Sequence, residues 1–206
     1  MAFKRDDLCE RVLDIAERRI AQGGAEELRA RTIALDAGVS VGTIYNLFGS
    51  MNGLLEALFT RILKRFHGVA SSAIDPISDQ DRRTALLALA DVYLDFVEGN
   101  EAVWQSLLSF NRGRPDVEGD PYLAEQGPLF DLVGNVLVGT PLDSGEEARR
   151  RAARMLWSSV HGIVSMNYLG MASEERAKET KAQVTLLVDL VLSGMRKRAG
   201  AATAEA

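Results

Sequence analysis

The chain is 206 residues long, 47% hydrophobic and 26% charged, the balance of a globular protein with enough apolar material for a sizeable core. Its one cysteine, Cys9, excludes an intramolecular disulfide, and its two histidines, His67 and His161, are too far apart in sequence for a local ligand pair, so disulfide scaffolds and zinc modules are out. A net charge of -5 argues against coating nucleic acid by bulk charge, but it hides an asymmetry: residues 1 to 72 hold ten Lys and Arg against nine Asp and Glu, and the remainder holds fourteen against twenty.

From the amino terminus, Met1-Ala2-Phe3-Lys4-Arg5-Asp6-Asp7 becomes charged before an apolar stretch can build. No later window approaches the roughly 18 consecutive apolar residues of a membrane span, which predicts a cytoplasmic protein with no membrane partner. Apolar residues recur at helical spacing in Leu8, Val12, Ile15, Ala16 and Ile20, and Gln22-Gly23-Gly24 ends that run. A second amphipathic run follows in Leu54, Leu55, Leu58, Ile62, Leu63 and Phe66. All five prolines lie after residue 75, and beyond Asp75-Pro76 the same period predicts helices at about 80 to 98, 100 to 112, 122 to 138, 145 to 170 and 174 to 197. Nothing alternates with period two for long, and the Ala-rich stretch from Ala199 to Ala204 predicts a frayed tail. The fold reads as all α, with about nine helices.

Between the two N-terminal runs lies the most informative segment, Leu28 to Phe48. Ile33, Ala34 and Ala37 share one helical face, Gly38 and Val39 follow, and Ile44, Leu47 and Phe48 share a second face. Helix, turn, helix is the reading: a small Ala34 where two helices cross, Gly38 ending the first helix at a position that favours positive φ, Val39 and Ile44 plugging the angle. Ser40 is the natural N-cap of a short second helix from Val41 to Leu47. The same spacing also fits an αα-corner in a plain helical bundle.

Residues from about 8 to 63 resemble the DNA-binding domain of the TetR (tetracycline repressor) family, through Ile33-Ala34, Ala37-Gly38-Val39-Ser40, Gly42-Thr43-Ile44-Tyr45, Phe48 and Leu54-Leu55. Further on, Val160-His161-Gly162 is similar to a signature in the penultimate helix of some members. The resemblance implies that Ser40, Thr43 and Tyr45 touch phosphates of a double-stranded DNA operator while Val41, Gly42 and Asn46 lie near base edges. A hydroxyl at a helix N-terminus suits an anion, and Asn suits adenine. Lys4 and Arg5 form a candidate basic arm; Arg29 and Arg31 fit either phosphate contacts or a solvated charged face. Two positions depart from the family pattern. Met51 stands where lysine is usual, and Arg29 stands where Ser or Thr usually caps the helix.

In the C-terminal two thirds, Phe66, Trp104, Phe110, Trp157, His161 and Tyr168 are the candidate ligand-binding residues, with core packing as the competing reading for each. Ser158 and Gly162 form a small-residue stripe, and Val184, Val188, Val191 and Leu192 cover a broad apolar face of the last helix. The resemblance implies that these two helices pair with their copies in a homodimer. The predicted organisation is thus a helix-turn-helix domain at 1–50 linked through helix 51–70, a helical ligand-binding and dimerisation domain at 51–198, and a disordered tail at 199–206. No catalytic constellation, metal site or cofactor motif can be named. The function read from the sequence is a ligand-responsive transcriptional regulator, a repressor released from a palindromic operator by a small apolar effector. The alternative is a helical ligand-binding or scaffold protein whose helix-turn-helix no longer reads DNA.

Overall fold

The computed structural model describes residues 5–77, 81–112, 121–168 and 174–204. Among these there is no strand, and the helices run α1 (Arg5–Gly23), α2 (Ala30–Ala37), α3 (Val41–Phe48), α4 (Met51–Ile74), α5 (Arg82–Gly99), α6 (Glu101–Asn111), α7 (Pro121–Ala124), α8 (Gly127–Val136), α9 (Glu146–Asn167) and α10 (Glu174–Ala204), with a 3-10 turn at Ala25–Glu27. Nine of the ten α-helices exceed a single turn; α7 does not. No helix among the described residues is long and apolar enough to cross a membrane.

The chain forms two compact units, one of Met1–Arg65 with Gly99–Glu125 and one of Phe66–Glu98 with Gln126–Ala206, so α4 contributes to both. This grouping places α6 and α7 in the unit that holds α1, α2 and α3.

In the first unit the predicted apolar runs form the core. Val12, Ile15, Ala16 and Ile20 of α1 are buried with Ile33, Ala34 and Ala37 of α2, Ile44 of α3, Leu54, Leu58 and Phe59 of α4 and Trp104 of α6. Each large side chain of that set contributes about 1.5–3 kcal/mol by leaving water. Around the rim, Arg61 donates to Glu10 at 3.0 Å, Asp14 at 2.7 Å and Glu17 at 2.8 Å, which ties α4 to α1. Arg65 also pairs with Glu17. Burial pushes the Glu17 carboxyl up, but Arg65 and Arg61 together outweigh it and hold the group below its ordinary range.

The second unit packs α5, α8, α9, α10 and the end of α4 around Leu86, Leu89, Leu132, Val133, Ala153, Leu156 and Val188. Asp81 caps α5 by accepting the Thr84 amide at 3.1 Å, which fixes the start predicted near residue 80. The helix predicted over 122 to 138 is interrupted at Glu125-Gln126, and Pro128 stands in the first turn of α8. A proline there cannot continue a preceding helix, because its ring meets the carbonyl four residues back and it has no amide to donate. At the other end α10 runs to Ala204, into the stretch where composition predicts fraying; alanine, the strongest helix former, prolongs it.

Candidate functional site

The α2-turn-α3 segment takes its geometry from three local devices. Gly38 ends α2 in the left-handed region at φ 66°, ψ 35°, and the Val39 amide donates back to the Ala34 carbonyl at 2.9 Å. That six-to-one closure needs a residue at ease with positive φ. Ser40 then starts α3: its Oγ accepts the Thr43 amide at 3.1 Å and lies 2.9 Å from Thr43 Oγ1. Ile44 turns inward, 1% exposed, which rotates the remaining faces of the short helix outward. Ser40, Val41, Gly42, Tyr45 and Asn46 are accordingly exposed and Thr43 is half-buried. Tyr45 keeps 45% of its surface in solvent.

Arg29 occupies the N-cap of α2 without any side-chain capping bond, as its lack of an acceptor dictates; the Thr32 hydroxyl donates to the Arg29 carbonyl at 2.9 Å instead. Arg29 and Arg31 are both exposed, and neither has an ion-pair partner among the described residues. Lys4 lies outside the described residues, and Arg5 is exposed at the first position of α1. Met51 opens α4 half-buried.

Sequence reasoning missed what seats α3 on α4. Ser50 Oγ accepts the Gly53 amide at 3.0 Å, and a β-carbon on Gly53 would run into the Phe48 carbonyl oxygen. The Ser50 signal was available, a hydroxyl just before an apolar run, whereas the demand on Gly53 is visible only in three dimensions. The Arg61 network was also missed, since its acids lie more than forty positions away in sequence.

The candidate ligand-binding residues divide between the two units. Trp104 is buried in the first, and Phe110 packs there between Phe59 at 5.1 Å and Tyr122 at 5.4 Å between ring centres. In the second unit, Phe66 lies 6.2 Å from Trp157, and Trp157 lies 5.3 Å from Tyr93. The Tyr93 hydroxyl is 2.7 Å from His161 Nδ1, and burial pushes the His161 pKa down, which favours the neutral ring. Tyr168 is buried at the C-cap of α9 and donates to Glu98 at 2.7 Å, a polar tip already satisfied within the unit. An apolar cavity of about 40 Å³ lies among Leu89, Tyr93, Val133, Leu156, Trp157 and Val188.

The residues expected at a dimer interface also separate. Ser158 and Gly162 are exposed on α9, but Val184 and Val188 are buried in the unit's own core, and Val191 and Leu192 pack half-buried against it. The apolar side chains that α9 and α10 do present to solvent are Met155, Met166, Leu186 and Leu190. Among the described residues no group of His, Cys, Asp and Glu is arranged to hold a metal ion.

Known proteins share this plan. Residues 12–58 match the family of bacterial regulatory proteins of the tetR family, and residues 86–191 match the tetracyclin repressor-like C-terminal domain. A curated relative, the HTH-type transcriptional regulator BetI of Yersinia pestis (strain Pestoides F), is 28% identical over 101 residues, 49% of this chain and 51% of its own length. The chain thus spans about half the length of the curated relatives it matches. Among solved structures, a TetR-family transcriptional regulator from Streptomyces coelicolor superimposes with a TM-score of 0.65 at 20% identity, covering 92% of this chain and 99% of that one. The regulator FadR from Bacillus subtilis, solved in complex with stearoyl-CoA, does so with a TM-score of 0.64 at 17% identity, covering 87% and 96%. With its N-terminal segment matched to one family model and its C-terminal segment matched, over about half the chain, to another, this chain belongs to the tetR family of bacterial regulatory proteins.

Proposed function

We propose that the protein is a homodimeric, ligand-responsive repressor that holds a palindromic double-stranded operator until a small, largely apolar effector releases it. The observation that carries the DNA-reading part is the solvent-facing side of α3, where a capped N-terminus, Gly42 and an exposed Tyr45 and Asn46 stand together. In this reading Ser40, Thr43 and Tyr45 donate to phosphates, the open amides and dipole of the α3 N-terminus add to them, and Val41, Gly42 and Asn46 approach base edges. Arg29 and Arg31, exposed and without acidic partners among the described residues, supply screened attraction to the backbone.

Each head reads a short half-site, so affinity rests on two heads held together. Support for a dimer is the apolar stripe of Met155, Met166, Leu186 and Leu190, with Ser158 and Gly162 allowing close approach on α9. For an effector, the support is the apolar cavity beside Trp157 and the FadR neighbour solved with stearoyl-CoA. At about 40 Å³ the cavity is far below the roughly 300–1,000 Å³ of ordinary ligand pockets, so binding must select a form in which it is wider. If that form positions the heads wrongly for the operator, ligand and DNA oppose each other by linkage.

Selection from random oligonucleotides, followed by gel shift across a salt series, tests this reading. An enriched palindrome with half-sites about 34–36 Å or a multiple apart and steep salt dependence is the expected result. Binding without any sequence preference overturns it.

A further inference from the structure

A groove between α8 and α9, outside the apolar cavity, gathers three guanidiniums. Arg150, Arg151 and Arg154 line it together with Phe130, Asp131 and Glu147, around a space of about 360 Å³. Arg150 pairs with Glu146 at 3.2 Å and Arg151 with Glu147 at 2.9 Å, both exposed bridges along one helix, the kind that exchanges readily for a better anion. The Arg154 guanidinium has no carboxylate partner among the described residues and sits 5.4 Å from the centre of the Phe130 ring. Asp131, Glu146 and Glu147 match the three guanidiniums in number, but the ion pairs engage only Arg150 and Arg151, so Arg154 is the cation left to meet an added anion.

The groove and the cavity share a wall. Phe130 lines the groove and Trp157 lines the cavity, and their rings meet edge to face, 6.0 Å apart at 89°. On α8, Val133 of the cavity is one turn from Phe130; on α9, Trp157 is one turn from Arg154. One side of the pair is apolar, the other presents planar donors suited to carboxylate or phosphate.

We propose that the effector is an anionic amphiphile, with its acidic end held by Arg150, Arg151 and Arg154 and its apolar chain passing between Phe130 and Trp157 into the cavity. This rests on the ligand-responsive reading above and names the chemistry of its ligand. Turning the half-buried Trp157 ring aside joins the two spaces, and Arg154, freed from Phe130, reaches the anion while the chain packs against Leu156 and Val133. A neutral chain of the same length satisfies only the cavity.

Trp157 also reports the event, since the chain has only two tryptophans. In a Trp104→Phe background its fluorescence is titrated, below micelle formation, with decanoate, decyl phosphate, decanol and decyltrimethylammonium, and operator release is measured in parallel. Both anions are expected to saturate the signal, with affinity that falls as salt rises; which of the two binds tighter distinguishes a free acid from a phosphorylated carrier. Arg154→Gln is expected to weaken the anions about tenfold or more and leave decanol unchanged, with Arg154→Lys intermediate. Decanol binding as tightly as decanoate, an unaltered decanoate affinity in Arg154→Gln, or no binding of either anion overturns the proposal. Decanol that binds and releases operator removes the anionic end while leaving the ligand-responsive reading intact.

Discussion

A β-carbon on Gly53 would overlap the carbonyl oxygen of Phe48, so the end of α3 and the first turn of α4 approach more closely than a side chain at that position permits. The obstacle is backbone, which cannot rotate away. Gly53→Ala must therefore displace one helix against the other, at a cost of about 1–3 kcal/mol, the range for overpacking. A lowered denaturation midpoint with weakened operator binding is expected. An unchanged midpoint in urea would show that the two helices part without penalty.

Ser40 separates capping from recognition. Ser40→Ala removes the acceptor of the Thr43 amide and should cost about 1 kcal/mol of stability along with operator affinity. Ser40→Asp retains a capping acceptor and favours the positive end of the helix, yet places a negative charge where phosphate is to sit. That variant should melt as wild type does while losing operator binding, read by thermal denaturation and gel shift on the same preparation. Undiminished DNA binding by Ser40→Asp would place the phosphate elsewhere.

The helix-turn-helix was legible in sequence because its requirements are local. Gly38 must accept positive φ, Ser40 must cap, and Ile44 must point inward, all within a dozen positions. The faces of α10 were not legible for the opposite reason. Apolar residues surround the helix from Val184 to Leu192, so periodicity cannot choose the inward side; packing against α5 and α9 buries Val184 and Val188 and leaves Leu186 and Leu190 outside. The division of the aromatics, Trp104 and Phe110 in one unit and Trp157 and His161 in the other, depends on which helices group together, a long-range property that spacing does not encode.

That distinction on α10 predicts two different failures. Leu186→Asp with Leu190→Asp changes exposed residues and should yield folded monomers that bind operator far more weakly, because each head then binds alone. Val188→Asp buries a charge in the core and should unfold the unit. Light scattering and circular dichroism tell the outcomes apart. A dimer of unchanged mass in the Leu186→Asp, Leu190→Asp variant would move the interface off this face.

Tyr45 and Asn46 are neighbours on the exposed side of α3 with different expected tasks. Tyr45→Phe deletes the hydroxyl proposed to meet phosphate and should weaken all sequences alike. Asn46→Ala deletes a pair suited to adenine and should cost about 1–3 kcal/mol at one base position, relaxing the choice there. Affinity measured for the operator and its single-base variants distinguishes the two patterns, and a uniform loss from Asn46→Ala would take that residue off the base edge.

His161 gives the second unit an acid sensitivity whose sign is fixed by burial. Its ring lies 2.7 Å from the Tyr93 hydroxyl, and desolvation lowers its pKa in the folded chain below the roughly 6.5 of an exposed imidazole. The unfolded chain therefore binds a proton at higher pH than the folded one does. Stability from this group is complete above pH ~6.5 and is lost as pH falls from there through the folded value. Glu17, held low by Arg65 and Arg61 against the upward push of burial, acts in a separate window: its contribution is lost only as pH falls below the ordinary carboxylate range, near 4.3. As pH falls from about 6.5 toward about 5.5, protonation of this imidazole destabilises the fold, and the melting temperature should fall across that interval. His161→Gln keeps a polar side chain but cannot titrate, so its melting temperature should vary less over the same range, whatever its absolute value. Parallel pH profiles for wild type and His161→Gln would exclude His161 as the source of the acid sensitivity.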